Sequence, residues 1–455
     1  MKKITLILCL LGAYFANAQI LEALTIPNSD DTYTVYLPEQ YREDKKWPVI
    51  MVFSPTGDGA EAVETFEESA DRYGYVIAAS NGIKNGNYQE NLRRSRTFYT
   101  EVINRFSIDK NAIYMAGFSG GARLAMSIAV MSSQIKGVIA CGASFSNVPA
   151  YIPTENKFFY IGIVGDQDFN YNEMLQAMNY LEQKKFDANL LVFSGGHQWP
   201  PSQYIDKAVR LVTVKSINKN TRPEAQDKIG EYFKMDLAFN QDLIADNLVY
   251  RAYNDMNVNV SNYRFTIDKD SLKSLQKEIR KNKDYRKQRN AWNEVRRIET
   301  YKYIDYLTFL PQDVARADLE SMTYWQQQVD SIKNNFLSSP IREKKNLGAR
   351  LLGFLDVAAS ELTSSYSGTD QLDNKLYIAI LQTLIDAKNY DAYLKVLSYT
   401  VQKSEYGMAL YYLDKMLKNG FKDTQLLDKQ QGIALLRIQP EYNELLESYG
   451  LEARY

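Results

Sequence analysis

The stretch AIYMAGFSGGARLAMSIAV, residues 112–130, indicates a strand followed directly by a helix. It begins with a continuous apolar run, typical of a strand buried on both faces, and it ends with the composition of a helix. Ser119 lies at the junction, in a Gly-x-Ser-x-Gly pattern formed with Gly117 and Gly121. Glycines at these positions remove side chains that would collide in a tight strand-to-helix turn. Ser119 is either a nucleophile on such a turn or an ordinary loop serine, and the flanking strand and helix favour the nucleophile.

Strand and helix signals alternate on both sides of this stretch, between residues 24 and 216. The predicted strands are 33–38, 48–53, 74–80, 112–117, 137–143, 158–165 and 188–195. The predicted helices are 60–72, 89–106, 120–134, 172–185 and 201–214. Such alternation predicts an α/β fold, a mostly parallel sheet with helices on both faces. Catalytic residues in such sheets lie at the carboxyl ends of strands.

The composition changes near residue 217. Residues 217–223, INKNTRP, are polar and end in proline, which predicts a linker between a domain at 19–216 and a second domain at 224–455. Strand signals nearly vanish in the second domain, and Lys, Glu, Gln, Leu and Tyr recur at helical spacing. The sequence therefore predicts an all-helical second domain.

Residues 1–18, MKKITLILCLLGAYFANA, have the features of a signal peptide. Two lysines precede an apolar stretch too short to span a bilayer, and ANA suits cleavage before Gln19. Leu8 precedes Cys9 where a lipoprotein signal would need a small residue, so no lipid anchor is expected. We therefore expect an exported protein, periplasmic or extracellular, and no later apolar run is long enough for a transmembrane helix.

Charge and the rare residue types exclude several classes of function. The formal charge of −1 becomes −3 when Lys2 and Lys3 are removed, so no basic surface for nucleic acid or anionic lipid is expected. Cleavage would leave one cysteine, Cys141, which cannot form an internal disulfide. His197 is the only histidine, so zinc sites built on two or three imidazoles are excluded, and we expect neither a metal nor a cofactor.

Acidic residues and then a histidine follow the serine in the chain. This order, serine, acid, histidine, is the one that a catalytic triad has on this type of sheet. Asp166 and Asp168 come directly after the strand at 158–165, and His197 comes directly after the strand at 188–195. Because both positions are at carboxyl ends of strands, we expect these side chains to lie near Ser119.

Four stretches carry a resemblance to a known family. They are AGFSGGARLA (116–125), VIACGASF (138–145), VGDQDFNY (164–171) and GGHQWPP (195–201). In this order they resemble the α/β-hydrolase superfamily, and within it the secreted polyhydroxybutyrate depolymerases and feruloyl esterases. The resemblance covers roughly residues 30–215 and implies the α/β-hydrolase fold and a serine triad. It does not specify the substrate.

The resemblance also implies roles for individual residues. Ser119 would be the nucleophile and His197 the base. The family's acid usually stands three residues after the glycine that closes its strand, here Gly165, which gives Asp168, with Asp166 as the alternative.

The oxyanion loop departs from the family pattern. Ser54 and Pro55 stand where the family often has His-Gly. Because proline has no N–H to donate, the backbone of Thr56 would be the first oxyanion donor. The second would be the backbone of Gly120. Phe118, Phe169 and Trp199 adjoin the triad positions, and either a substrate pocket or core packing explains them.

Three functions are consistent with these features. The first is an exported serine hydrolase that cleaves carboxylic esters through an acyl-enzyme, with acyl groups on polysaccharides as a possible substrate class. The second is a serine peptidase or amidase on the same fold. The third is a scaffold whose helical domain recruits a protein or glycan partner.

The helical half carries a weaker pattern. Residues 409–449 resemble the closing segment of tetratricopeptide-like arrays, in which paired helices stack. A helical bundle with a solvated charged face explains the same residues. A stacked array would form a concave surface for a protein, a glycan or an extended substrate.

Overall fold

The structure, a computed structural model, describes residues 19–366, 368 and 371–452. The predicted signal peptide, residues 1–18, lies outside the described residues. The strands are β1 (Gln19–Thr25), β2 (Thr32–Leu37), β3 (Trp47–Phe53), β4 (Val76–Ser80), β5 (Ile108–Phe118), β6 (Ile135–Cys141), β7 (Phe159–Gly165) and β8 (Ala188–Phe193). The helices around the sheet are α1 (Gly59–Glu64), α2 (Glu67–Tyr73), α3 (Tyr88–Arg105), α4 (Gly120–Met131), α5 (Tyr171–Gln183) and α6 (Ser202–Asn218).

The helices that follow are listed in chain order. They are α7 (Ile229–Ala245), α8 (Val249–Tyr263), α9 (Lys269–Lys281), α10 (Lys283–Arg316), α11 (Met322–Ser331), α12 (Arg342–Ser365), α13 (Leu372–Ile385), α14 (Tyr390–Gln402), α15 (Tyr406–Lys418), α16 (Thr424–Lys429), α17 (Ala434–Arg437) and α18 (Pro440–Ser448).

The eight strands form one sheet in the order β1-β2-β4-β3-β5-β6-β7-β8. β2 pairs antiparallel with β1 and β4, and all the other neighbours are parallel. Every residue of β3, β4 and β7 is buried, as a continuous apolar run predicts for a strand covered on both faces. The predicted α/β fold, a mostly parallel sheet with helices around it followed by an all-helical region, is confirmed. β1 is additional, and it carries no apolar run because most of its residues are exposed.

The described chain divides into two compact units. The first contains the chain up to Asp166 together with Glu173–Arg286, and the second contains Gln167–Asn172 and the chain from Lys287 onward. This division differs from the predicted one, because residues 224–286 belong to the unit with the sheet. The predicted linker at 217–223 lies inside the first unit.

Buried ion pairs explain why α7 and α8 stay with the sheet. Lys207 and Arg210 of α6 pair with Asp236 of α7, at 3.4 Å from Lys207 Nζ and 2.8 Å from Arg210 Nη2. Lys207 Nζ also lies 2.6 Å from a carboxylate oxygen of Asp255 on α8. Burial alone would raise the pKa of Asp236, but the Lys207 and Arg210 charges hold it below its ordinary value. The charges of Asp236 on α7 and Asp255 on α8 are thus buried against α6 and do not belong to a solvated helix face.

The second unit is built from helices that pack in chain order. α12 contacts α13, α13 contacts α14, and α14 contacts α15. The core contains Leu347, Leu351 and Leu355, one turn apart on α12, and the fully buried Trp325. None of the helices in the described part of the chain combines the length and apolarity needed to cross a bilayer.

Candidate active site

Ser119 lies on a sharp turn between β5 and α4. Its backbone has φ 52° and ψ −119°, a conformation that costs a residue with a side chain free energy and that recurs at functional turns. The helix begins at the next residue, so the leading N–H groups of α4 have no carbonyl partner within the helix. The serine hydroxyl is therefore held at the positive end of a helix dipole.

The two glycines of the motif are both required by close backbone packing. A Cβ on Gly117 would lie 2.5 Å from the backbone of Gly121, and a Cβ on Gly121 would lie 2.0 Å from the carbonyl oxygen of Phe53. Real Cβ atoms essentially never approach so closely. The motif therefore lets β5, the turn and α4 approach β3 without a gap.

Folding brings Ser119 and His197 together. His197 Nε2 lies 2.9 Å from Ser119 Oγ, within hydrogen-bond distance, although the two residues are 78 positions apart in the chain. This is the contact that a serine nucleophile needs with its general base.

Aromatic rings support the histidine. The Phe118 ring lies 4.7 Å from the His197 ring between centroids, and the Trp199 ring lies 5.3 Å from Phe118. Phe118 is buried and Trp199 is partly buried. Phe118 and Trp199 thus pack beside the Ser119–His197 pair, whereas Phe169 belongs to the second unit.

The Asp166 carboxylate binds groups on α8 and in the loop that precedes His197. Its Oδ2 accepts from Arg251 Nη2 at 2.5 Å, and its Oδ1 accepts from the N–H of Gly195 at 3.2 Å. Arg251 Nη1 also donates to Ser194 Oγ at 2.9 Å. One carboxylate thus links α8 to the loop that carries His197.

Asp168 lies in the loop after β7 and is 1% exposed. Its Oδ1 accepts from the N–H of Asn170 at 2.8 Å, and its carbonyl oxygen accepts from the N–H of Tyr171 at 2.9 Å. These two hydrogen bonds form a compact turn that leads into α5. The turn belongs to the six-residue segment Gln167–Asn172 of the second unit, which we call the acid loop.

Helices of the second unit hold the acid loop by specific polar contacts. Tyr303 Oη donates to the carbonyl oxygen of Phe169 at 2.8 Å, and Trp292 Nε1 donates to Tyr171 Oη at 2.9 Å. The Arg350 guanidinium lies 4.6 Å from the centre of the Tyr171 ring, a cation–π contact. The acid loop is thus anchored from both α10 and α12.

The two predicted oxyanion donors lie in different local settings. Thr56 is exposed, and its N–H makes a long contact of 3.4 Å with Ser54 Oγ. Gly120 is the first residue of α4, and a Cβ on it would lie 1.9 Å from the side-chain oxygen of Asn85. A cavity of about 220 Å³ adjoins Gly120 and is lined by Phe53, Ile83, Asn85, Tyr88, Gly121 and Leu124 among others.

The thiol of Cys141 does not offer a second nucleophile. Cys141 is fully buried, and burial raises the pKa of its thiol. In the described part of the chain, no group of three or more His, Cys, Asp or Glu side chains could hold a metal ion.

Sequence reasoning missed Arg251 and Tyr303. Both lie in the half of the chain whose charged and aromatic residues indicate only helix packing, and neither belongs to a motif. Each contacts a residue that is distant in the chain; Arg251 and Asp166, for example, are 85 residues apart. A single sequence holds no signal for such a pairing.

Comparisons with known proteins show similarity to solved serine hydrolases and esterases. No protein-family model and no curated protein matches the chain. The similar solved structures include an S-formylglutathione hydrolase from Staphylococcus aureus, 16% identical, covering 43% of this chain and 96% of that one with a TM-score of 0.34. A fluorophosphonate-binding serine hydrolase from the same organism is 15% identical and covers 43% and 98%, with a TM-score of 0.37. A feruloyl esterase module from Clostridium thermocellum is 17% identical and covers 42% and 87%, with a TM-score of 0.34.

Proposed function

We propose that this chain is a serine hydrolase that cleaves carboxylic esters through an acyl-enzyme on Ser119. The observation that carries the proposal is the 2.9 Å contact between Ser119 Oγ and His197 Nε2, made by a serine on a strained turn at the start of α4. A plain turn serine needs neither that conformation nor the only imidazole of the chain.

The reaction would proceed in two steps. His197 takes the proton of the Ser119 hydroxyl as its oxygen attacks the ester carbonyl, and the imidazolium then gives that proton to the departing alcohol. In the second step His197 takes a proton from water, the hydroxide attacks the acyl-enzyme, and the proton returns to the Ser119 oxygen as the acid leaves. The backbone N–H groups of Thr56 and Gly120 would bind the oxyanion of each tetrahedral intermediate.

We assign the acid of the triad to Asp168. The alternative, Asp166, already neutralises Arg251 and accepts from Gly195. Asp168 has a position after β7 that suits the role, and the resemblance to α/β-hydrolases implies it. The role of the acid would be to hold the imidazole in one tautomer and to stabilise its charged form.

Location and substrate rest on the sequence. The composition of residues 1–18 supports export to the periplasm or beyond. The resemblance to secreted esterases supports acyl groups on polysaccharides as the substrate class.

The helical half fits a tetratricopeptide-like stack. α13 begins at Leu372 and α15 at Tyr406, which matches a repeat of about 34 residues, and each helix packs on the next. We propose that this stack offers a surface for a protein or glycan partner.

The test compares the wild-type chain with Ser119→Ala on aryl esters of increasing acyl length and on aminoacyl arylamides. We expect ester hydrolysis by the wild type, loss of at least about a thousandfold in the variant, and unchanged circular dichroism. Equal turnover by the variant would overturn the proposal, and hydrolysis of the arylamides alone would replace the esterase with an amidase.

A further inference from the structure

The loop that carries His197 has little conformational preference of its own. It reads Ser194-Gly195-Gly196-His197, and two successive glycines allow many backbone conformations. A base that must stay within hydrogen-bond distance of Ser119 Oγ therefore needs an external support.

Two contacts from outside this loop fix it against the end of β7. A Cβ on Gly165 would lie 2.2 Å from the carbonyl oxygen of Gly195 and 2.5 Å from that of Gly196, so the loop lies directly against the Gly165 backbone. The next residue, Asp166, accepts from the N–H of Gly195 at 3.2 Å, and its own N–H donates to the carbonyl oxygen of Phe193 at 2.8 Å.

Arg251 reaches the same loop from α8. Its Nη2 lies 2.5 Å from Asp166 Oδ2, and its Nη1 donates to Ser194 Oγ at 2.9 Å. One planar guanidinium thus binds both the residue that follows β7 and the first residue of the histidine loop. The side chains of Arg251 and Asp166 are 15% and 7% exposed, which makes the pair less screened than a surface ion pair.

We propose that Arg251 and Asp166 are positioning residues for His197. The proposal rests on the proposed function, because His197 acts there as the base. Arg251 neutralises Asp166 and orients its carboxylate toward Gly195, and the carboxylate holds the glycine pair so that the imidazole stays at Ser119. The reaction thus depends on a helix that lies well beyond the stretch resembling α/β-hydrolases.

The test uses Arg251→Met and Arg251→Lys in an untagged full-length chain. We expect Arg251→Met to lower kcat for an aryl ester by roughly ten- to a hundredfold with KM changed less than about twofold, because a displaced base impairs chemistry rather than binding. Arg251→Lys should recover part of the loss, since an ammonium can pair with Asp166 but cannot also reach Ser194 in a fixed fork. The matched control is Arg94→Met, which breaks a comparably buried ion pair with Asp31 in the same unit and should leave kcat unchanged.

A second readout does not depend on activity. His197 is the only histidine, so a chain labelled only at histidine Cε1 gives a single ring signal. We expect one sharp signal in the wild type and in Arg94→Met, and a broadened or split signal in Arg251→Met. An unchanged signal and unchanged kcat in Arg251→Met would overturn the positioning role, as would equal losses in the Arg94 control. An inactive wild type whose signal still broadens in Arg251→Met would overturn the proposed function and leave the positioning of His197 intact.

Discussion

Ser119 Oγ and His197 Nε2 lie 2.9 Å apart, although 78 residues separate them in the chain. Two strand ends and two glycine-containing turns create this contact. β5 delivers the serine and β8 delivers the histidine, and the close packing at Gly117, Gly121 and Gly165 leaves no room for side chains between the backbones.

Gly121→Ala should destabilise the serine turn. The added Cβ would lie 2.0 Å from the Phe53 carbonyl oxygen, so β3 or α4 must shift. We expect a loss of about 1–3 kcal/mol in the free energy of unfolding and a clear loss of ester hydrolysis. Gly230→Ala is the control, because its Cβ would meet nothing within 4 Å in helix α7. Denaturant unfolding that gives the two variants equal stability would contradict the steric argument.

Asp168→Asn and Asp166→Asn should differ in severity. An asparagine in place of the triad acid favours the wrong imidazole tautomer, so we expect kcat to fall about ten thousandfold for Asp168→Asn. Asp166→Asn breaks the ion pair with Arg251 and keeps an oxygen that can accept from Gly195, so the fall should be roughly ten- to a hundredfold. Steady-state kinetics on one aryl ester measures both, and the reverse order of severity would make Asp166 the acid.

Tyr303→Phe should lower activity through the acid loop. The substitution removes the hydrogen bond of 2.8 Å to the Phe169 carbonyl oxygen, next to Asp168, while keeping the ring that packs on Phe354. We expect a fall in kcat of about three- to tenfold, with KM nearly constant. Tyr301→Phe, on the same helix and 66% exposed, should have no effect. Identical kcat values for the two variants would show that this hydrogen bond does not act on the acid.

Asp236→Asn should weaken the first unit, and the effect should depend on pH. Lys207 and Arg210 would lose a buried counter-charge, so we expect a loss of about 3–5 kcal/mol in the free energy of unfolding at pH 7. Burial alone would raise the pKa of Asp236, but these two charges lower it. The stabilisation of the folded state by ionised Asp236 is therefore complete above the ordinary pKa of about 3.9 and is lost as the pH falls below that value.

Urea unfolding of wild type and variant between pH 7 and pH 3 checks this prediction. The difference in free energy of unfolding between wild type and Asp236→Asn should become smaller as the pH falls, because a protonated Asp236 is uncharged like the asparagine. The solvent-exposed pair of Arg93 and Glu90 supplies the control, and Glu90→Gln should change the unfolding midpoint little at any pH. A difference in free energy of unfolding that stays the same from pH 7 to pH 3 would mean that the Asp236 charge does not stabilise the fold.

The sheet and the serine–histidine pair were predictable because local features specify them. The apolar runs of β3 and β7 contain no polar residue, and the glycines around Ser119 and before His197 mark tight turns. The assignment of 224–286 to the sheet unit was not predictable. Arg210 and Asp236 bury their charges against each other, and in a sequence the same residues indicate a solvated helix face.

The polar contacts of Arg251 with Asp166 and of Tyr303 with Phe169 could not be predicted from the sequence either. Arg251 and Asp166 are 85 residues apart, and Tyr303 and Phe169 are 134 apart, so neither pair falls within any local period. β1 was missed for a different reason, since its exposed residues give an edge strand without an apolar run.

Covalent labelling with a fluorophosphonate, followed by mass spectrometry to locate the adduct, tests directly whether Ser119 is a nucleophile activated by His197. We expect one adduct, on Ser119, formed rapidly by the wild type and lost in His197→Ala, because the phosphonate reacts only with a serine that its base activates. A wild-type chain that stays unmodified, or one labelled on a different residue with Ser119 intact, would contradict the assignment of Ser119 as the nucleophile.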